Sequence, residues 1–415
     1  MTRRDDTTRI LISDTAAQRL AASISRRRFL ALGGGAAAAV ALAACGSGSG
    51  SSSSSKTKCV PTTTPGTVAG GSTTATTPAT VASTGGSGKK LNMFTWAEYD
   101  DPDLLREWGN ISLTIFNSNE EAVQKLVQGG GSSGFDMVVP TGPYIPQLVK
   151  AGLLAELDKS KIPNFKNLDK PYANQSWDPD NKHSVCKNWG TTGWIYDTTV
   201  VKTEIKTWAD FIKVAQTDAS GRTSVLDTPP NLCGTYFWAN GIDWTTEKIA
   251  DLDACEKFMV NEFAKHIKAF DSYPGVNLTQ GNYALSQVWN GDARQGLLGV
   301  ESACDDVSRY KWGMGAPATE LWMDNWCILK DAKNADNAYD FINFILDPAH
   351  SVKDLNFHGY NTGIKGVEDL AKDIHFKDMV FFTAAQVATM KSGAVNSAQD
   401  RLVKIYSNVK AKAGG

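Results

Sequence analysis

The sequence predicts an α/β protein whose folded body has two lobes. Two observations lead to this fold class. Predicted strands and helices alternate as β-α-β-α-β-α from residue 90 to about residue 150, which indicates a parallel sheet covered by helices on both faces. About 325 residues carry this kind of pattern, more than one domain usually holds.

The first 44 residues have the form of an export signal. Residues 25–30 contain consecutive arginines followed by Phe-Leu, as in a twin-arginine signal. The apolar run at 31–44 is too short to span a bilayer of roughly 30 Å. It ends in Leu-Ala-Ala before Cys45, which resembles a lipoprotein processing site. Residues 1–44 are therefore predicted to be a lipoprotein signal peptide, with lipid on Cys45.

Residues 45–89 are almost entirely Gly, Ser, Thr, Ala and Pro. Such a composition cannot form a core and predicts a disordered tether. The folded body would then be exported and held on the outer face of the cell membrane by the lipid on Cys45.

Charge and cysteine content exclude some functions. The formal net charge is −2, which gives no indication of nucleic-acid binding. Five of the seven cysteines lie after the tether, and none has a metal-binding spacing. We therefore expect neither a metal nor a cofactor, and the sequence leaves the disulfide connectivity open.

The elements of the first half follow from local patterns. Residues 90–96 and 111–116 read as strands, and 135–140 as a buried third strand. Asp101 begins a helix. Ser118 and Glu121 have the spacing of a capping box.

The second half continues the alternation of strands and helices. The predicted strands are 194–196, 224–226, 297–300 and 321–329, and the predicted helices are 206–214, 252–268, 335–346 and 400–411.

Aromatic and acidic residues stand where the predicted strands end, which is where α/β proteins bind ligands. The predicted exits are at Trp96, Thr141, Trp289 and Asp324, and the chain has 12 tryptophans. An indole face attracts an ammonium group, and a carboxylate binds it by a charge-assisted hydrogen bond. This combination favours a small cationic amine as ligand.

Eight short motifs give the sequence its resemblance to the spermidine/putrescine-binding proteins of polyamine ABC importers. They stand, in the family's order, at residues 94–99, 118–120, 135–140, 189–192, 207–210, 289–292, 322–324 and 359–362. Each motif alone is weak, but together they are specific, and the similarity runs from about residue 90 to the C-terminus.

The resemblance implies a substrate-binding lipoprotein that captures a polyamine and delivers it to an ABC permease driven by an ATPase. It implies a two-lobed, periplasmic-binding-protein-like fold of type II, with a ligand cleft between the lobes and several hinge crossovers. One lobe would hold residues 90–193 and 289–340, and the other 194–288 and 341–415. The protein would act as a monomer, would not be an enzyme and would not bind nucleic acid.

The resemblance also implies the site residues. Trp96, Tyr99 and Trp289 would form aromatic walls, while Asp292 and Asp324 would bind amino groups. The full expected site comprises Trp96, Tyr99, Thr141, Tyr144, Asp227, Trp289, Asp292, Trp322 and Asp324.

Two departures from the family pattern leave the length of the ligand open. Family members usually carry several acids in the stretch equivalent to 227–232, where this chain has only Asp227. Pro143 stands where some members have an aromatic residue, although Tyr144 is adjacent.

Other functions remain open from the sequence. The ligand could be another amine, such as an amino acid derivative or an aminophosphonate, whose anionic end Arg294 would bind. An exported hydrolase would need a nucleophile and a base, but none of the five histidines lies in such a motif. The third alternative is a structural surface lipoprotein without a ligand.

Overall fold

The computed structural model describes residues 80–82 and 88–414. The predicted signal peptide, Cys45 and residues 46–79 and 83–87 of the predicted tether lie outside the described residues. Residues 80–82 form a strand that pairs antiparallel with 112–114. This part of the predicted tether therefore belongs to the sheet.

The described strands form one hydrogen-bonded path in the order β1-β3-β2-β4-β10-β5-β8-β6-β7, with β11 on β10 and β9 on β5. Their bounds are β1 Thr80–Ala82, β2 Lys90–Thr95, β3 Asn110–Ile115, β4 Met137–Val138, β5 Ser184–Asp197, β6 Thr223–Leu226, β7 Ile267–Asp271, β8 Leu285–Trp289, β9 Tyr310–Met314, β10 Thr319–Ile328 and β11 Met390–Ser392.

The described residues also form α-helices, most of which lie between strands in the order of the chain. Their bounds are α1 Pro102–Trp108, α2 Asn119–Gln128, α3 Ile145–Lys150, α4 Trp208–Gln216, α5 Pro229–Ala239, α6 Ile249–Phe258, α7 Pro274–Thr279, α8 Asn290–Ser302, α9 Ala335–Ile345, α10 Pro348–His358, α11 Val367–Leu370, α12 Ala384–Thr389 and α13 Gln399–Ala413. No helix in the described part of the chain is both long and apolar enough to span a membrane.

The first half of the chain folds largely as its local patterns predict. Strand β2 pairs in parallel with both β3 and β4. The Asp101 carboxylate caps α1, and the Ser118 hydroxyl accepts from the amide of Glu121. Glu121 returns its bond to the amide of Asn117 rather than to Ser118, so only one half of the predicted capping box forms.

The sheet is mixed rather than wholly parallel, because β10 enters it from the far end of the chain. Strand β10 runs antiparallel to both β4 and β5. Local patterns cannot predict this pairing, since it joins residues 138 and 327.

Strand β5 links the two lobes, with 14 residues that are almost all buried. Its first part pairs with β10 as far as Thr191, and from Thr192 onward it pairs with β8 and β9. The chain passes between the lobes again at the link between β9 and β10, and after β11. These passages are the several crossovers that a type II fold requires.

Each lobe has its own core of large aromatic side chains. In the first, the ring of Phe341 packs edge-on against Trp108 and Trp326, with centroids 5.5 and 5.4 Å away. In the second, Trp194 and Trp208 lie 5.1 Å apart. Rings of this size each remove roughly 150–250 Å² from water, so each core contributes to the stability of its lobe.

The packing of the last third of the chain bears on the predicted lobe boundaries, which stay a prediction. Side chains of α9 and α10, including Phe341 and Leu355, pack in the first core, whereas those of α13 pack in the second. Helix α8 packs against β8 through Leu297 and Val300. We therefore propose that α8 belongs to the second lobe and that residues 335–390 belong to the first.

Three predicted elements are wrong. Residues 297–300 lie in α8, because Ala293, Leu297 and Val300 have the spacing of one helical face. The helix predicted at 252–268 ends at Phe258 and is followed by a π-helical turn and then β7. Asp324 does not end a strand, since it lies in the interior of β10.

Candidate functional site

A cavity of about 760 Å³ lies where the two lobes face each other. Side chains from both lobes line it, which is typical of solute sites. All nine residues predicted from the sequence lie on its wall, namely Trp96, Tyr99, Thr141, Tyr144, Asp227, Trp289, Asp292, Trp322 and Asp324.

Aromatic rings form the apolar part of this wall. The ring of Trp96 packs edge-on against Phe116 at 4.4 Å, and its indole nitrogen donates to the carbonyl of Val139. Trp322 packs edge-on against Tyr360 at 4.7 Å. These contacts hold the rings in fixed orientations before any ligand arrives.

A glycine makes room for the second of these pairs. Gly190 on β5 lies directly under Trp322, and a Cβ at this position would collide with the indole ring. The absence of a side chain at Gly190 therefore lets Trp322 occupy its place in the cavity wall.

One carboxylate oxygen of Asp324 accepts a hydrogen bond, and the other has no partner among the described residues. The Tyr99 hydroxyl donates to Asp324 Oδ2 over 2.6 Å. Asp324 Oδ1 is buried and has no hydrogen-bond partner within residues 88–414. Burial raises the pKa of this carboxyl to about 6, against the opposing effects of the Tyr99 hydroxyl, the nearby Thr141 hydroxyl and the charge of Lys187. A buried carboxylate oxygen without a partner is costly, so the site favours a donor that would fill this position.

Asp292 lies in the first turn of α8, the helix that we propose belongs to the second lobe. Its Oδ2 accepts a hydrogen bond from the hydroxyl of Tyr360. Burial raises the pKa of Asp292 to about 6 and raises the pKa of Tyr360 well above its ordinary value. The tyrosine therefore stays protonated and orients the acid.

Glu320 is a third acid of the cavity, and the sequence analysis missed it. Its Oε2 accepts from the Thr192 hydroxyl at 2.7 Å and from the Asn231 side-chain amide at 2.6 Å. Burial raises its pKa to about 7. The predicted strand began at residue 321, one position after this acid. An alternation of acid, indole and acid at 320, 322 and 324 was the signal that could have found it.

Asp227 lies on the cavity wall but is already paired. Its Oδ1 accepts from Lys410 Nζ at 2.7 Å and from the Tyr406 hydroxyl. Since an internal cation already neutralises this carboxylate, Asp227 has less negative potential to offer a ligand than the other predicted acids.

Thr141 and Tyr144 have positions fixed by polar contacts. The Asn119 amide donates to the Thr141 hydroxyl at 2.9 Å, and Thr141 forms a β-bridge with Asp324. The Tyr144 hydroxyl donates to Glu120 Oε1 at 2.6 Å.

The cavity carries a strong excess of acidic groups. Among its described wall residues are the carboxylates Glu98, Glu120, Asp227, Asp292, Glu320 and Asp324, and there is no lysine or arginine. Arg294 is not on this wall, because its guanidinium donates to the carbonyls of His375 and Asn356. The negative potential of the cavity therefore favours cations.

A buried ion network of Lys187, Asp100 and Asp354 lies next to Tyr99 of the cavity wall. Lys187 Nζ lies 2.9 Å from Asp100 Oδ1 and 3.3 Å from Asp354 Oδ2. The same ammonium lies 4.6 Å from the ring centroid of Tyr99. Tyr99 is thus held between this network and Asp324.

The residues that the structure describes lack a metal-binding cluster and a cysteine thiol on the cavity wall. They contain no cluster of three or more His, Cys, Asp or Glu side chains suited to a metal ion. Cys186, Cys233, Cys255 and Cys327 are buried free thiols, and none lines the cavity.

The two lobes and the acidic, aromatic cavity where they face each other define a protein that binds a solute between its lobes. Residues 107–379 match the family of bacterial extracellular solute-binding proteins. The chain belongs to that family.

Curated relatives narrow the comparison. The putrescine-binding periplasmic protein of Escherichia coli is 30% identical over 276 residues, covering 63% of this chain and 74% of that protein. The spermidine/putrescine-binding periplasmic protein of the same organism is 27% identical over 338 residues, covering 77% and 91%. These relatives confirm the resemblance to the spermidine/putrescine-binding proteins.

Solved structures support the fold. A putative spermidine/putrescine ABC transporter protein from Listeria monocytogenes superposes with a TM-score of 0.69 at 24% identity, covering 79% of this chain and 99% of that chain. A spermidine/putrescine substrate-binding protein from Streptococcus pneumoniae gives 0.65, also at 24% identity, covering 79% and 100%. The predicted type II, two-lobed fold is confirmed.

Proposed function

We propose that this protein captures a polyamine in the cleft and delivers it to the permease of an ABC importer. The observation that carries the proposal is the combination of three acids, Asp292, Glu320 and Asp324, with aromatic rings in a cavity whose described wall has no lysine or arginine. The names of the curated relatives support the same ligand class.

The chemistry of the ligand matches that of the site. Ammonium groups would donate to Asp292 and Asp324 and lie against indole faces, where cation–π attraction adds to the ion pairs. The methylenes between them would be buried against the rings, at roughly 0.8 kcal/mol for each CH₂. No step of this process changes a covalent bond of the ligand, so the function is binding rather than catalysis.

Lobe closure is the proposed mechanism. Contacts already cross the cleft: Gln399 donates to Glu120 at 2.8 Å, and Tyr273 to Asn117 at 3.4 Å. A ligand that touches acids of both lobes binds the closed form better than the open form and so shifts the population towards closure. The closed form would then dock on the permease, with a separate ATPase driving transport.

An amino acid or aminophosphonate ligand is less well supported. Such a ligand needs a cation for its anionic end, and the guanidinium of Arg294 is committed to two backbone carbonyls away from the cavity. A hydrolase is also less well supported, because His358, the one histidine on the described cavity wall, is buried and contacts Asp354 within the ion network.

A thermal-shift panel on the full chain tests the proposal. Spermidine, putrescine and agmatine should raise the melting temperature, because a ligand that binds the native state stabilises it by mass action. Neutral amino acids and 2-aminoethylphosphonate should not. A shift with the phosphonate but with none of the amines would overturn the proposal.

Binding should weaken as the pH falls. The pKa of Glu320 is raised to about 7, and those of Asp292 and Asp324 to about 6, with burial the largest cause in each case. A cation binds the ionised acids, so affinity is full above about pH 7 and falls below it. The loss should be roughly tenfold per pH unit for each acid that must release a proton.

Titration calorimetry at pH 8 and pH 5.5, at constant ionic strength, checks this expectation. The same titration at pH 6.5 in buffers of different ionisation enthalpy should show proton release on binding. An affinity that is equal at both pH values would contradict ionisation of these acids as the basis of binding.

Export and anchoring form the rest of the proposal. The family is extracellular by its description, in agreement with the predicted export of the chain. We propose that Cys45 carries the lipid and that the folded body acts as a monomer beside its permease. Labelling of cells with a radioactive fatty acid should mark the wild type but not Cys45→Ser, and equal labelling of both would exclude this anchor.

A further inference from the structure

Three side chains in a row along β10 line the cavity, and the two at the ends of the row are acids. Glu320, Trp322 and Asp324 occupy alternate positions of this strand and all line the cavity. Successive side chains of a strand point to opposite faces, so residues two apart share a face. The irregularity in the pairing of β10 falls after Asp324, so the alternation is regular across the three positions.

The two acids are therefore separated by a distance that the strand fixes. Four residues of extended strand span about 13 Å between the Cα atoms of Glu320 and Asp324, at about 3.3 Å per residue. Side chains stand roughly perpendicular to the strand, so ammonium groups above the two acids would have a similar separation. Trp322 lies midway between them on the strand and also lines the cavity.

Both acids have an oxygen available to a ligand. The hydrogen bonds that Glu320 accepts from Thr192 and Asn231 both go to Oε2. Oε1 accepts none from the described residues. Asp324 likewise uses only Oδ2, for Tyr99. Two fixed carboxylates thus present one oxygen each at the ends of the row.

Asp227 does not compete for this role. Asp227 is paired with Lys410, whereas Glu320 contacts only neutral hydrogen-bond donors, Thr192 and Asn231. Asp292, from α8, adds a third carboxylate to the cavity, and it accepts from the hydroxyl of the same Tyr360 whose ring packs against Trp322.

We infer that the cleft selects a linear triamine over a short diamine, with Glu320 binding the terminal ammonium that lies farthest from Asp324. This inference rests on the proposed function. Nine single bonds separate the end nitrogens of spermidine and give about 11 Å when extended, whereas the five of putrescine give about 6 Å. Only the triamine approaches the separation of the two acids, and it supplies a middle nitrogen for Asp292.

Titration calorimetry on the full chain with spermidine and putrescine tests the assignment. Wild type should bind spermidine at least tenfold more tightly than putrescine, and Glu320→Gln should reduce this ratio below threefold. Glu262→Gln, at an exposed glutamate outside the cavity, should keep the wild-type ratio. A ratio that Glu320→Gln leaves unchanged overturns the inference while the proposed function stands, and failure of both amines to bind wild type overturns both.

A second measurement needs no variant. 1,8-Diaminooctane has the end-to-end length of spermidine without its middle nitrogen, and octylamine has the same carbon chain with one ammonium. The diamine should bind wild type at least tenfold more tightly than octylamine, because only it reaches both acids. Equal binding of the two would show that the far acid contributes nothing, and would overturn the inference.

Discussion

Asp324→Asn should weaken polyamine binding roughly 30-fold or more, because it leaves a buried cation without its partner at a cost of about 2–5 kcal/mol. The neutral amide keeps the size of the side chain and still accepts from Tyr99, so the fold is preserved. The substitution removes the carboxylate charge, and one oxygen of that carboxylate, Oδ1, has no hydrogen-bond partner in the described structure. Titration calorimetry with spermidine at pH 8 measures the effect.

The matched control is Asp373→Asn, which makes the same chemical change at an exposed aspartate. It should bind within twofold of wild type. Near-wild-type affinity of Asp324→Asn would show that Asp324 does not bind the ligand, and the residue would then be a structural partner of Tyr99.

The positions of the rings and acids that follow strands could be predicted, because local patterns define strand ends. Trp96 follows β2 and Trp289 ends β8, as expected. Asp324 reached the cavity for a different reason than the one expected, since it lies inside β10 and faces the cavity by its position in the alternation.

Contacts between side chains that are far apart in the chain could not be predicted from the sequence. Lys410 neutralises Asp227 from 183 residues away, and no local pattern relates the two. The same holds for the partners of Glu320, since Asn231 is 89 residues distant. The strength of each acid as a ligand depends on such partners, so residue type and spacing predicted the members of the site but not their relative importance.

The spacing of apolar residues also led to a wrong prediction in a segment with few of them. A strand is predicted at 297–300 because Leu297, Leu298 and Val300 lie close together in the sequence. The segment is helical, and Ala293 belongs to the same buried helical face. A longer window would have included the small residue and favoured the helix.

Lys187→Met should lower the free energy of unfolding by roughly 3–5 kcal/mol, which is the usual cost of removing one partner from a buried ion pair. The lysine side chain is fully buried, and Asp100 and Asp354 are each only 3% exposed. Without the ammonium, two carboxylates stay buried close together, and burial lowers the pKa of the neighbouring His358, which disfavours the charged form of its ring. Their mutual repulsion and desolvation both disfavour the folded state.

The loss of unfolding free energy in Lys187→Met should have its full size at neutral pH. Burial acts to lower the pKa of Lys187, but Asp100 and Asp354 outweigh it and raise that pKa. Burial acts to raise the pKa of Asp354, but Lys187 and His358 outweigh it and hold that pKa below its ordinary value. The stabilisation by Asp354 is present above the ordinary carboxyl pKa of about 4 and is lost as the pH falls through the lower folded-state pKa, while that by Lys187 is lost only at high pH.

Urea denaturation at pH 7.5 measures the change, with Lys213→Met, at an exposed lysine, as the matched control. The control should lie within about 0.5 kcal/mol of wild type. Adding Asp100→Asn and Asp354→Asn to Lys187→Met should recover part of the loss, because the uncompensated charges are then gone. If Lys187→Met alone unfolds at the same urea concentration as the control, the network does not stabilise the fold. Because the ring of Tyr99 lies directly over this lysine, the network that stabilises the first lobe would also fix the tyrosine that orients Asp324.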